Sequence, residues 1–199
     1  TLILFFSDNG DAPQTSTGSP SLRGHKGSVY KGGHRVPAIA WWPGKIEAGS
    51  ITDSLAITLD VTPTILSIAG IEATDDQRYD GIDLSPILCE QTALPARPLY
   101  WADLSNGGRR SEAMRDGVWK LIVQHPNAKE GTFENETIEL YRLDSDLSEA
   151  NDLAQTQHQD TRPNKSLVRR QGANANPSTG RMAQLRYDHQ RIQQVVSGI

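Results

Sequence analysis

The sequence predicts an α/β fold that is followed by a small antiparallel sheet and a last helix. Three observations predict it. A continuous apolar run, Leu2 to Phe6, stops at a polar turn, as the buried strands of parallel sheets do. A helix pattern with Pro in its first turn covers 62–70. Beyond residue 98, short apolar segments alternate with turns, which is typical of antiparallel sheets.

The elements of the α/β part are recognised by their ends. The run at 2–6 is expected to be a fully buried, parallel-type strand. A second strand is predicted at 36–42, where a Pro-Gly turn ends it. In the helix, Thr62 is the expected N-terminal cap and Gly70 the C-terminal stop. We expect 72–97 to be mostly loop, with one short apolar turn.

Four segments of the second half predict strands: 99–101, 112–115, 119–123 and 139–143. Asp116-Gly117, between the second and third of them, is typical of a two-residue hairpin. We therefore expect the α/β part over 1–95 and the sheet subdomain over 96–154. The remaining residues, 155–199, predict a poorly ordered segment and a terminal basic helix.

Composition excludes several classes of protein. The 199 residues, 36% of them hydrophobic, suffice for a sizeable core, and no run approaches the about 18 apolar residues of a membrane span. The single Cys89 excludes an intramolecular disulfide. A net charge of −4 argues against nucleic acid. The basic stretch 161–199 favours a solvated helix face, with a polyanion-binding tail as the alternative.

The first strand runs directly into Asp8 and Asn9. In open α/β sheets, ligands collect at the carboxyl ends of the strands. One carboxylate and one amide oxygen are donors that suit a hard cation such as Ca²⁺ or Mg²⁺. Asp-Asn-Gly is also a common turn, so this tripeptide leaves both interpretations open.

Lys26 lies in Arg-Gly-His-Lys-Gly, where the flanking glycines let the backbone approach a ligand closely. Its amine is a point charge that suits a tetrahedral oxyanion. An isolated loop lysine is more often simply solvated. His25 and His34 are candidates either for substrate contact or for packing of the loop.

Taken together, several blocks resemble one known family. These are SDNG, LRGHKGSVYKGGHRVPAIAWWPG, LDVTPTILSIAG, DGIDLSPIL, MRDGVWKLI and ELYRLDSDLSEANDLA. In this order they resemble the C-terminal half of type I sulfatases, the formylglycine-dependent, arylsulfatase-like enzymes of the alkaline phosphatase superfamily. The resemblance covers 1–154 and implies part of an alkaline phosphatase-like α/β sandwich followed by the antiparallel subdomain.

The resemblance also implies roles for particular residues. Asp8 and Asn9 would bind the active-site cation, usually calcium, and Lys26 would contact the sulfate and assist the departing oxygen. His25 and His34 are further substrate-binding candidates, but the family does not fix their role. Arg109 is a candidate because it lies in or beside a loop that would face the substrate, with a solvated side chain as the alternative.

One position departs from the family. Relatives usually carry Glu where this chain has Lys31. The replacement of Glu by Lys changes the salt bridges expected near this position. It does not change the chemistry that the resemblance implies.

The family's nucleophile is a formylglycine made from Cys, and Cys89 does not lie in its motif. We therefore expect the nucleophile-bearing half to precede Thr1 and this chain alone to be inactive. The implied substrates are sulfated small molecules or polysaccharides, and the implied location is periplasmic, extracellular or lysosomal. The alternatives are a phosphodiesterase or phosphonate hydrolase of the same superfamily, and a catalytically silent chain.

Overall fold

The structure is a computed structural model. It describes residues 1–12, 22–72, 79–106, 109–125 and 136–154, with the side chains of 104–106 and 109 left out. The predicted segment 155–199 and its basic helix lie outside the described residues.

The chain forms two compact units that alternate along the sequence. Unit 1 comprises Thr1–Asp8 and Val36–Ala96, and unit 2 comprises Asn9–Arg35 and the part that begins at Arg97. The division into a catalytic domain over 1–95 and a subdomain over 96–154 stays a prediction.

Unit 1 contains a two-stranded sheet of β1, Ile3–Phe6, and β2, Ala38–Trp41. Both strands lie where the sequence predicts them, but they pair antiparallel, and Phe5 is 67% exposed. The expectation of a buried, parallel strand is therefore wrong for the described chain. A continuous apolar run indicates apolar surroundings on both faces, and it carries no information about the direction of the neighbouring strand.

Helix α2, Val61–Ile68, follows a 3₁₀ turn, Thr58–Asp60. The cap position falls on Asp60, the last residue of that turn, and not on Thr62, because the turn leads the chain into helical geometry two residues earlier. Gly70 ends the helix as predicted, with φ at +68°, a conformation that glycine adopts without steric cost.

The short turn expected within 72–97 is helix α3, Ser85–Glu90, which carries the half-buried Cys89. Helix α1 is a single turn, Lys31–His34. None of the helices in the described parts of the chain is long and apolar enough to cross a membrane.

Asp60 joins helix α2 to the segment before α3. Its carboxylate is fully buried and accepts the backbone N–H groups of Ile57 at 2.8 Å and of Ile82 at 2.9 Å. Next to Ile82, Gly81 packs so tightly that a Cβ there would lie 2.0 Å from the carbonyl oxygen of Leu59. The blocks LDVTPT and DGID therefore meet in one packing unit.

Gly81→Ala is expected to lower the free energy of unfolding by about 3 kcal/mol, because the methyl group meets backbone that has little freedom to move. Gly70→Ala is the matched control. Open space surrounds Gly70, so only its positive φ opposes a side chain, at about 1 kcal/mol. Urea unfolding followed by tryptophan fluorescence compares the two. Equal losses of stability in Gly81→Ala and Gly70→Ala would contradict the close contact.

Unit 2 contains a four-stranded antiparallel sheet in sequential order. Its strands are β3, Leu99–Asn106; β4, Arg109–Asp116; β5, Trp119–His125; and β6, Thr137–Arg142. The predicted antiparallel subdomain is thus present. The hairpin between β4 and β5 turns at Gly117-Val118, one residue later than predicted, because Asp116 is still paired with Trp119.

Each face of this sheet carries its own apolar cluster, as the alternation of strand residues requires. One cluster consists of Met114, Leu121, Val123, Leu140 and Ala154. The other consists of Val29, Ala113, Ile122, Tyr141 and Leu143, with Tyr30 and Trp101 at its edge. The segment around Val29 therefore lies on the second face, which brings the sequence motif of Lys26 onto the sheet.

Candidate active-site loop

Residues 22–35, here called the Lys26 loop, fold through close contacts between backbone segments. A Cβ at Gly32 would lie 2.2 Å from the carbonyl oxygen of Gly24, and a Cβ at Gly33 would lie 2.1 Å from that of Ser28. The Gly32 N–H donates to the Arg23 carbonyl at 2.7 Å. Glycine is required at these positions because the two arms of the loop touch each other.

The segment after Asn9 is attached to the Lys26 loop. The Gly10 N–H donates to the carbonyl of Gly33 at 2.9 Å, and the Lys26 N–H donates to the carbonyl of Asp11 at 2.8 Å. A Cβ at Gly10 would lie 1.8 Å from the carbonyl oxygen of Gly32, so this approach also depends on glycine. Unit 2 therefore holds Asn9 and Lys26 on adjoining segments.

The other predicted site residues lie in different environments. Asp8 belongs to unit 1. Lys26 and His25 are exposed, and His25 Nδ1 lies 2.9 Å from the Lys26 carbonyl oxygen. His34 is stacked on Trp101 with ring centroids 4.3 Å apart.

Arg109 begins β4, and its side chain is outside the description. Its role as a substrate contact stays a prediction.

Glu139 on β6 gathers side chains from both arms of the loop. Its carboxylate accepts the Tyr30 hydroxyl at 2.7 and 2.8 Å and the Tyr141 hydroxyl at 2.5 Å. Arg23 donates to the Tyr141 hydroxyl at 2.5 Å and to Glu139 at 3.3 Å, and its guanidinium lies 4.0 Å from the centre of the Tyr30 ring. We call these four residues the Glu139 anchor.

Burial raises the pKa of both Tyr30 and Tyr141, and the neighbouring Glu139 carboxylate raises them further. Both phenols therefore stay protonated and act as donors throughout the physiological pH range. The Glu139 anchor keeps its donor–acceptor pattern over that range.

A second carboxylate, Glu149, lies beneath the loop and is fully buried. It accepts the Lys120 ammonium at 2.5 Å and the Lys31 N–H at 2.7 Å. Its backbone carbonyl accepts Arg23 at 3.1 Å. His34 Nε2 lies 3.2 Å from Lys120 Nζ. The sequence did not reveal this group, because its members are separated by up to 126 residues. Only their positions within the blocks that resemble sulfatases distinguish them.

His34 is half-buried beside a cation, the Lys120 ammonium. Burial lowers its pKa to about 3, and the positive charge of Lys120 contributes in the same direction. The ring is therefore neutral at physiological pH.

The comparisons with known proteins agree with one another. A family model described as sulfatase matches residues 1–71. N-acetylgalactosamine-6-sulfatase of Sus scrofa is 42% identical over 106 residues, which is 51% of this chain and 20% of that protein. Arylsulfatase A of Homo sapiens is 41% identical over 124 residues, which is 60% of this chain and 24% of that protein. Over these parts of its length the chain is similar to sulfatases.

A solved structure extends the match to the fold. The crystal structure of Ps i-CgsB in complex with k-i-k-neocarrahexaose matches with a TM-score of 0.65 and 26% identity, over 79% of this chain and 33% of that chain. The predicted alkaline phosphatase-like α/β fold with an antiparallel sheet is confirmed. The chain spans about a quarter or less of the length of the two curated relatives.

The described residues offer few donors to a metal. No group of three or more His, Cys, Asp or Glu residues suited to a metal ion occurs within the described ranges. Asp8 and Asn9 are consecutive oxygen donors of the kind that Ca²⁺ prefers, but Ca²⁺ takes about six to eight oxygens. The pair therefore fits a hard cation in chemistry and supplies only part of its ligands.

Lys31, the residue that departs from the family pattern, is 3% exposed. Its pKa is lowered from 10.5 to about 8, mainly by burial and also by the positive charges of Arg115, Arg35 and Lys120, against the attraction of Glu149. The protonated form of Lys31 is therefore disfavoured in the folded protein.

The free energy of unfolding is expected to rise between about pH 8 and pH 10.5 through Lys31. In that interval the unfolded chain binds a proton that the folded chain has released, so higher pH favours the folded state. Below about pH 8, Lys31 is protonated in both states, and the full cost of burying its charge lowers the free energy of unfolding. Lys31→Met is expected to be more stable than the unchanged chain at pH 7 and to lack this rise, whereas Lys45→Met, at an exposed lysine, keeps it. Urea unfolding at several pH values measures both, and equal pH profiles for the unchanged chain and K31M would contradict the assignment.

Proposed function

We propose that this chain supplies part of the metal and sulfate site of a sulfuric ester hydrolase. The observation that carries the proposal is the hydrogen bond from the Lys26 N–H to the Asp11 carbonyl at 2.8 Å. It attaches the loop that bears the amine to the segment that begins with Asn9. An oxygen donor for a cation and a mobile ammonium on adjoining segments suit the chemistry of a sulfate ester.

In this proposal, Asp8 and Asn9 hold a divalent cation, calcium rather than magnesium by family resemblance. A bound cation supplies positive charge for the non-bridging sulfate oxygens. Lys26 places its ammonium where negative charge develops on the departing oxygen, and this kind of preorganised charge is effective in catalysis. His25, His34 and Arg109 stay candidates for contacts with the rest of the substrate.

The nucleophile is expected to be a formylglycine outside this sequence. The only cysteine here, Cys89, lies in helix α3 in the sequence Leu-Cys-Glu-Gln-Thr, which does not match the motif that is converted. The chain by itself is therefore proposed to be inactive.

The proposed substrates are sulfate esters of carbohydrates or aryl compounds. The names of the relatives include N-acetylgalactosamine-6-sulfatase and arylsulfatase A, and one solved neighbour holds a carbohydrate oligomer. By the same resemblance, we propose an exported or lysosomal location. The named relatives favour a sulfatase over a phosphodiesterase or phosphonate hydrolase.

A graft tests the proposal. Residues 1–154 replace the corresponding part of arylsulfatase A of Homo sapiens, and turnover of a chromogenic aryl sulfate is measured with calcium present. We expect the graft to turn over and the isolated chain to show none. A second graft carrying Asp8→Ala and Asn9→Ala is expected to require far more calcium. The proposal would be overturned if the second graft folds and has the same turnover and the same calcium requirement as the first.

A further inference from the structure

We propose that the Glu139 anchor positions Lys26. In this proposal, the sheet of unit 2 holds the two arms of the loop at a fixed distance from each other, and this distance determines where the Lys26 amine lies. This inference rests on the proposed function of Lys26. It assigns a role to Arg23, Tyr30, Tyr141 and Glu139, none of which is expected to touch the substrate.

The positions of the anchor residues along the chain support the inference. Arg23 precedes Lys26 by three residues, and Tyr30 follows it by four. Both side chains end on one carboxylate, that of Glu139, although they come from opposite arms of the loop. A single rigid strand residue therefore determines how far apart the two arms lie. The exposed tip that carries Lys26 lies between two fixed points.

The hydrogen bonds of the anchor are numerous and mutually supporting. The Tyr141 hydroxyl accepts from Arg23 and donates to Glu139, each at 2.5 Å. The Tyr30 hydroxyl donates to Glu139 and accepts the side-chain amide of Gln124 at 2.7 Å. Each hydroxyl therefore has a donor and an acceptor, and a network of this kind has one preferred geometry.

Stability alone does not explain this arrangement. The apolar cluster around Val29 and Ile122 already holds the loop on the sheet. Apolar contacts are not directional, so they leave the loop free to shift along the face. A partly buried carboxylate with directed partners contributes less to stability than to a unique geometry, because its desolvation offsets much of what its bonds contribute.

Glu149 secures the same two arms a second time. Its backbone carbonyl accepts Arg23 at 3.1 Å, and its carboxylate accepts the Lys31 N–H at 2.7 Å. The contact with the Lys31 N–H is buried, and both contacts fall outside residues 24–30. The Glu149 contacts hold the chain on either side of residues 24–30, while the Glu139 anchor sets the distance between the two arms.

The first experiment tests the anchor without any activity. Amide hydrogen exchange is measured on the full chain for the unchanged protein and for Tyr141→Phe. We expect the Lys26 amide to exchange about tenfold faster in the variant, because the hydroxyl as a whole is worth about a factor of ten in local opening. Amides of β5, at the centre of the sheet, are expected to change far less. Tyr100→Phe, on the opposite face of the same sheet, is the matched control.

The second experiment places Tyr141→Phe in the graft with arylsulfatase A. We expect kcat to fall about tenfold with KM nearly unchanged, which is the pattern of a misplaced group acting in the transition state. Glu139→Gln, which keeps the shape of the side chain, is expected to change kcat in the same direction.

The outcomes separate this inference from the proposed function. If Tyr141→Phe leaves exchange at Lys26 unchanged, or accelerates exchange equally throughout the sheet, the positioning role is refuted whatever Lys26 does. If exchange at Lys26 accelerates but kcat is unchanged in the graft, the role in catalysis is refuted. If instead Lys26→Ala leaves kcat unchanged, the proposed function fails, and the exchange experiment still decides whether the anchor holds the loop.

Discussion

Lys26→Ala is expected to lower kcat of the grafted sulfatase by about 10²–10³-fold, with a much smaller change in KM. In the proposed role, the Lys26 ammonium faces charge that is larger in the transition state than in the bound ester. Loss of the side chain therefore removes stabilisation mainly after binding. The side chain is exposed and the contact that holds this residue is made by its backbone, so the fold is expected to tolerate the change.

Lys45→Ala is the control for Lys26→Ala, since Lys45 is exposed and remote in sequence from the loop. Steady-state kinetics with a chromogenic aryl sulfate measure both variants, and urea unfolding verifies that both are folded. Arg at position 26 keeps the charge but not the compact ammonium, so Lys26→Arg is expected to recover only part of the rate. Equal kcat values for Lys26→Ala and Lys45→Ala would remove Lys26 from the proposed site.

Lys120→Met is expected to lower the free energy of unfolding by about 3–5 kcal/mol, because it leaves the buried carboxylate of Glu149 without its charged partner. Both side chains are almost completely buried, at 1% and 0% exposure, and the ammonium lies 2.5 Å from the carboxylate. Removing only one charge of a buried ion pair lowers the free energy of unfolding more than removing both charges.

A double-mutant cycle tests this expectation. Lys120→Met combined with Glu149→Gln is expected to be more stable than Lys120→Met alone, because the uncompensated charge is gone. Glu149 also accepts the Lys31 N–H, which a Gln side-chain oxygen is able to accept as well. Arg142→Met, at an exposed ion pair with Asp144, is the control and should cost less than about 1 kcal/mol. Additive losses in the cycle would show that the buried pair is not coupled.

Local patterns predicted the elements of this chain well. The strands near 2–6 and 36–42, the helix that stops at Gly70 and the antiparallel sheet are all present at or near the predicted positions. Each depends on interactions between residues close in sequence, such as a turn that needs a positive φ or the alternation of side chains along a strand. These preferences act wherever the chain is, so the sequence alone carries them.

The errors concern interactions between distant segments. The direction of pairing between β1 and β2 is not encoded in either apolar run, and the sequence led to the wrong choice. The start of α2 moved from Thr62 because the preceding 3₁₀ turn and the buried Asp60, bonded 22 residues ahead, decide where the helix begins. Both the pairing of β1 with β2 and the bond between Asp60 and Ile82 join segments that are far apart in sequence, so a short stretch of sequence does not reveal them.

The candidate site divides in the same way. Asp8, Asn9 and Lys26 were selected from residue type, strand ends and family resemblance, and their roles stay predictions. The supporting groups, Glu139, Tyr141, Lys120 and Glu149, were not selected, because nothing in their local sequence distinguishes them from ordinary strand and loop residues.

By itself, the sequence determined which segments become strands and helices, where glycine stops them and which family the blocks resemble. Only the tertiary structure decided that the Lys26 loop lies on the sheet of unit 2, with Glu139 and Glu149 as its supports. The physical reason is that turns and strand patterns arise from neighbouring residues, whereas burial of a carboxylate is tolerated only where donors from remote segments converge on it.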